Sequence, residues 1–179
     1  MQATVVKRKS SGTPQLYTLK VFLTDGPMTK AFAGKEISRT IQIRGDQTLQ
    51  ALHRAIFKAF DREEEHLHEF NFGKGPPACR AERGAGRYDR EGPRYTLRSN
   101  MKDFMTDEVT AGDVAKTTLD ALGLEVGRAF GYWFDFGDDW KFRVRKSRLA
   151  APPVKGAKYP RVVERAGPNP EQYPDWDEE

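Results

Sequence analysis

Asp135, Asp138 and Asp139 crowd around Phe136-Gly137, and carboxylates gathered at a turn can hold a hard divalent cation such as Mg²⁺ through oxygen ligands. A cation held there would activate water for hydrolysis, so this cluster defines a metal-dependent hydrolytic reading. The competing account is local. Asp and Gly are the residues a tight hairpin turn requires, and their side chains can satisfy neighbouring backbone N–H groups. Asp135-Phe136-Gly137 also occurs in protein kinases, but no glycine-rich phosphate loop and no catalytic-loop motif precede it here, which excludes that chemistry.

His66 and His68 flank Leu67 beside Glu65 and Glu69, and on an extended segment both imidazoles point to one face. A zinc site needs at least a third ligand, and the remaining histidine, His53, stands elsewhere in the chain, so a structural role is the commoner outcome. Cys79 is the single cysteine, which rules out an intramolecular disulfide and a cysteine zinc cluster. Nothing close to it in sequence would hold or activate a thiolate.

Two groups of cations remain. Lys74, Arg80, Arg83, Arg87, Arg90 and Arg94 punctuate one stretch, and Lys141, Arg143, Arg145 and Arg148 line one face of the last hairpin strand. Together they are suited to follow a phosphate backbone, although Glu82, Asp89 and Glu91 dilute the first group. The net charge of +4 and the pI of about 9.2 tilt the chain mildly in the same direction.

These groups need elements to hold them. Tyr17, Leu19, Val21 and Leu23 alternate with Thr18, Lys20 and Phe22, which predicts a half-buried strand from Leu16 to Leu23, closed by the turn Asp25-Gly26-Pro27. A second strand is predicted from Ile37 to Arg44. Leu49, Leu52, Ile56 and Phe60 then recur at helical spacing with Asp46 or Thr48 available as N-cap, predicting a helix over about 48–60. Leu67 to Phe72 reads as a third strand, Tyr95 to Arg98 as a resumption of the sheet, and Thr117 or Thr118 to Leu122 as a short second helix ended by Gly123.

Phe130, Tyr132, Phe134 and Phe136, then Trp140, Phe142 and Val144 after Gly137-Asp138-Asp139, predict an aromatic hairpin over Ala129 to Lys146. The whole reads as an α+β fold, a mixed and mainly antiparallel sheet with one long helix packed on one face. Its expected limits are a disordered basic arm at 1–14, a single domain at 15–166 with a mobile basic loop at 73–94, and a Pro-rich acidic tail at 167–179.

Of 179 residues, 37% are hydrophobic and 31% charged, and mean hydropathy is −0.74, which suits one core with solvated extensions better than two domains. No apolar run approaches the roughly 18–20 residues of a membrane span, and no apolar stretch follows the basic N-terminal residues. The expectation is a cytoplasmic protein with no membrane association and no cofactor.

In order, Tyr17-Thr18-Leu19-Lys20-Val21, Thr48-Leu49-Gln50-Ala51-Leu52-His53, His66-Leu67-His68-Glu69-Phe70 and Tyr132-Trp133-Phe134-Asp135-Phe136-Gly137-Asp138-Asp139-Trp140 closely resemble the plasmid pRi open-reading-frame-three-like family. Tyr159-Pro160-Arg161, Gly167 and Pro170-Glu171-Gln172-Tyr173 resemble its C-terminal section. The chain departs from many members at Phe142, where they carry a His, and in lacking their Cys-rich ending. The resemblance implies one α+β domain on plasmids and mobile elements, and no established activity. Some members bear a resolvase-like label, yet neither the serine nor the tyrosine recombinase residue set can be assembled here.

The sequence therefore favours a non-enzymatic binding module for DNA or RNA, or for a protein partner, with Arg80, Arg83, Arg87, Lys141, Arg143 and Arg145 as contact residues. The alternative is the hydrolase centred on Asp135, Asp138 and Asp139. A third possibility is self-association through the hairpin that carries Trp133 and Trp140.

Overall fold

The computed structural model describes residues 13–73, 92–97, 111–148 and 151–176. Strands β1 (Leu16–Asp25), β2 (Ser38–Arg44), β3 (His68–Asn71), β4 (Arg94–Thr96), β5 (Gly112–Asp113), β6 (Ala129–Phe134), β7 (Trp140–Lys146) and β8 (Arg161–Ala166) form one sheet in the order β5-β4-β3-β6-β7-β1-β2-β8. Every pairing is antiparallel except β4 with β5. Among the described residues a single α-helix, α1 (Leu49–Ala59), accompanies it.

This corrects the α+β expectation: the fold is dominated by an eight-stranded sheet, and its one described α-helix has 11 residues. Two segments account for the difference. The predicted second helix closes as a single 3₁₀ turn, Asp120–Leu122, because Gly123 takes a left-handed φ of 59° immediately after it. The C-terminal strand β8, Arg-Val-Val-Glu-Arg-Ala, carries too many charges to show a period-two apolar pattern. It lies at the sheet edge, with a register shift opposite Thr40/Ile41, and both features discourage further strand addition.

Helix α1 starts where expected. Thr48 is its N-cap, its hydroxyl accepting the Ala51 N–H at 3.3 Å. Leu49, Leu52, His53, Ile56 and Ala59 face inward, over Leu19 and Val21 of β1, Ile41 and Ile43 of β2, Tyr132 and Phe134 of β6, and Phe142 and Val144 of β7. The first strand and the aromatic hairpin thus share the sheet on which the helix lies, with β7 directly beside β1. Burial of this stripe is the main stabilising term, at roughly 1.5–3 kcal/mol for each large side chain.

The C-terminus of α1 meets guanidinium groups from three parts of the chain. Arg39 Nε donates to the Ala59 carbonyl at 3.1 Å, Arg165 Nη1 to the same oxygen at 2.7 Å, and Arg62 Nε to the Phe60 carbonyl at 2.9 Å. Cations there satisfy the last carbonyls and oppose the negative end of the helix dipole. Arg39 also donates to Ala166 O and Asn169, and Arg62 to Pro170 O, so the segment after β8 is tied down over the helix end.

Candidate nucleic-acid interface

Alternation along β7 sends Trp140, Phe142, Val144 and Lys146 towards α1 and leaves Lys141, Arg143 and Arg145 on the opposite face. Lys146 belongs to the inner set despite its charge, its ammonium donating to the Leu124 carbonyl at 2.6 Å and lying 4.6 Å from the Tyr17 ring. Burial there holds the Lys146 pKa below its usual value.

Strand register converts the single file on β7 into a surface. Arg145 pairs with Ala129 on one side and Lys20 on the other, and Lys20 pairs in turn with Thr40 and that with Glu164. The next row runs Arg94, Asn71, Gly131, Arg143, Phe22, Ser38, Ala166. A third joins Glu69, Trp133, Lys141 and Asp25. Cations thus concentrate in the first two rows, and Lys20 and Phe22 of β1, which were not singled out from sequence, stand at their centre.

Acids temper part of this surface. Glu36 lies 2.9 Å from Lys20 Nζ and accepts the Ser38 hydroxyl at 2.8 Å, and these two contacts, Lys20 first, lower its carboxyl pKa. Lys141 Nζ is 3.5 Å from Asp139, and Arg94 is 3.5 Å from Glu69. Arg145 is exposed. Of the other predicted contact residues, Arg80, Arg83 and Arg87 lie outside the described residues, as does Cys79; Arg148 follows β7 and is exposed.

The aspartates serve the hairpin turn. Asp135 and Asp139 adopt left-handed φ values of 56° and 61°, a region Asp tolerates better than most residues. Asp135 is 6% exposed; its Oδ1 accepts the Gly137 and Asp138 N–H groups at 3.2 and 3.3 Å, and its carbonyl accepts the Asp139 N–H at 2.7 Å. Among the described residues no three His, Cys, Asp or Glu side chains are placed to hold a metal ion.

The histidines separate by environment. His53 of α1 and His68 of β3 stack in the core with centroids 3.6 Å apart and planes 4° apart. His53 Nε2 is 2.9 Å from the Glu65 carboxylate, which can only accept, so that nitrogen carries the proton; Nδ1 of the neutral ring then accepts the Tyr132 hydroxyl at 2.8 Å. Burial depresses the pKa of His53 to about 4, and burial followed by the neighbouring His53 depresses that of His68 to about 3. His66, nearer the surface, contacts Tyr173 OH at 2.8 Å and Asp135 Oδ2 at 3.5 Å.

A cleft of about 560 Å³ is lined by Thr29, Lys30 and Phe32 on one side and by Pro170, Glu171 and Pro174 on the other. No described helix is long and apolar enough to cross a membrane.

Comparison with known proteins agrees with the fold and adds a family. The crystal structure described as "Protein of Unknown Function MM3350" from Methanosarcina mazei Go1 is similar over 89% of this chain and 75% of its own, with a TM-score of 0.58 and 22% identity, a likeness of fold. No curated protein matches. The family described as "Plasmid pRiA4b ORF-3-like protein" matches residues 16–173, which include the Tyr132–Trp140 hairpin motif, and the chain belongs to that family.

Proposed function

We propose that the protein is a non-enzymatic nucleic-acid-binding module whose contact surface is the sheet face turned away from α1. The observation that carries this reading is Lys20 directly opposite Arg145 in the β1–β7 ladder, with Arg143 one row away. Like charges facing each other across an antiparallel pair destabilise the sheet, and Glu36, 2.9 Å from Lys20, offsets part of that repulsion. A polyanion lying over them removes that repulsion and releases condensed counterions. The contacts are to phosphates, which position a nucleic acid without reading its sequence.

The hydrolase reading has less support: Asp135 Oδ1 accepts two N–H groups of its own turn, its Oδ2 lies 3.5 Å from His66, and among the described residues no three His, Cys, Asp or Glu side chains are placed to hold the metal ion this chemistry needs. The test is a salt titration of DNA and RNA binding with wild type and with Arg143→Glu combined with Arg145→Glu. Wild-type affinity should fall steeply with salt, and the double variant should bind every sequence more weakly with a salt slope shallower by about one unit per lost contact. Absence of binding at low salt would refute the proposal.

A further inference from the structure

We infer that the nucleic acid taken by this face is single-stranded and lays a base on the ring of Phe22, an inference that rests on the reading of the face as a nucleic-acid surface. Among the described phenylalanines, Phe60, Phe70, Phe72, Phe130, Phe134 and Phe142 are buried in the core, and Phe32 and Phe57 pack against it. Phe136 lies against Trp133, with centroids 4.2 Å apart. Phe22 differs from all of these. It sits on the face away from α1, half-buried, with Arg143 opposite on β7 and Ser38 opposite on β2.

The surroundings of the ring suit a nucleotide. Lys20 Nζ is 4.9 Å from the ring centroid, and Arg145 stands opposite Lys20. The Phe22 row continues as Gly131 beyond Arg143 and as Ala166 beyond Ser38, with Ser38 itself 1% exposed. A base stacked on Phe22 would have its flanking phosphates within reach of Lys20, Arg143 and Arg145. Stacking of this kind is tolerant of sequence because every base has a π-face.

Position in the sheet decides between a single strand and a duplex. β1 and β7 are interior strands of the eight, flanked by β6 on one side and β2 on the other. A major groove about 12 Å wide admits a helix or a two-stranded ribbon, and a broad sheet cannot push its central strands into it. A duplex would rest on the outermost side chains with its base faces hidden. Only an unpaired base can reach Phe22.

The experiment is fluorescence anisotropy at low salt with labelled DNA and RNA oligonucleotides of about 16 nucleotides, each single-stranded or annealed to its complement. Wild type should bind the single strands at least about tenfold more tightly than the duplexes. Phe22→Leu should lose about tenfold on single strands and little on duplexes, while Phe22→Trp, which restores a ring, should keep wild-type affinity. Circular dichroism melts of both variants confirm that the sheet is intact. Equal binding of single strands and duplexes, with Phe22→Leu indistinguishable from wild type, overturns the single-strand inference alone. Binding of neither form overturns the reading of the face itself.

Discussion

The imidazoles of His53 and His68 lie parallel, 3.6 Å between centroids, sealed between α1 and β3. Arg54 adds to the cost of charging His53, Glu65 is the carboxylate that reaches it, and Tyr132 fills its other nitrogen. The exposed position of Glu65 explains why burial outweighs that carboxylate. Both rings are therefore neutral in the folded protein well below the pH at which they would protonate when unfolded.

Acid should consequently destabilise the protein earlier than its carboxylates alone would dictate. Above about pH 6.5 both states are neutral at these positions and the pair contributes no pH dependence. As pH falls from there towards about 4 for His53 and about 3 for His68, the unfolded chain takes up protons that the native one does not. Stability is then lost at up to about 1.4 kcal/mol per pH unit for each ring. Urea unfolding at a series of pH values should show this slope. His68→Phe, which removes a titrating ring together with its hydrogen bond to the His66 backbone, should flatten the slope above about pH 5.

Gly26 should not tolerate a side chain. It follows β1 at φ 151°, and a Cβ there would come within 2.4 Å of the Trp140 ring, which is fully buried. Gly26→Ala is expected to cost about 1–3 kcal/mol, as overpacking a core does, and to lower the melting temperature visibly. An unchanged melting temperature would mean that Trp140 can move aside.

Gln172 acts as a hydrogen-bonded peg. Its Oε1 accepts the Glu63 and Glu64 N–H groups at 2.7 and 3.1 Å, and its Nε2 donates to the Glu64 carbonyl at 3.1 Å, with the side chain 2% exposed. Gln172→Ala leaves two backbone donors and one acceptor without these partners, at a cost of about 1–3 kcal/mol. Limited proteolysis should then cut the segment after β8 sooner than in wild type.

Glu36 competes with any phosphate for Lys20. Glu36→Gln removes that charge while keeping the shape, so nucleic-acid affinity should rise about two- to fivefold, the range expected for an exposed ion pair. Affinity unchanged or reduced in anisotropy titrations would take Lys20 out of the contact surface.

Much of this was readable in the chain. Leu49, Leu52 and Ile56 announce α1, and the aromatic alternation from Phe130 to Val144 announces the hairpin, because large apolar side chains at a fixed period leave few alternatives. The same alternation already separates Lys20 and Phe22 of β1 from Tyr17, Leu19 and Val21. It does not say which strand lies beside β1. The β1–β7 neighbourhood joins residues more than a hundred positions apart, so Lys20 opposite Arg145 follows from tertiary pairing alone. The weight given to helices misled for a physical reason: charged β8 and two-residue β5 lack any periodic signature, and a fold class judged without them undercounts the sheet.

The guanidinium groups gathered at the end of α1 bear on the order in which the chain becomes structured during synthesis. Arg39 waits for Ala166, a separation of 127 residues, and Arg62 for Pro170, a separation of 108. A nascent chain has long finished α1 before either acceptor leaves the ribosome, so two buried cations lack those acceptors until late. Contacts of such range slow folding and tie early segments to late ones. A ribosome-stalled chain ending before Ala166 should therefore leave α1 and β2 protease-sensitive, and protection should arrive in one step once Pro170 has emerged.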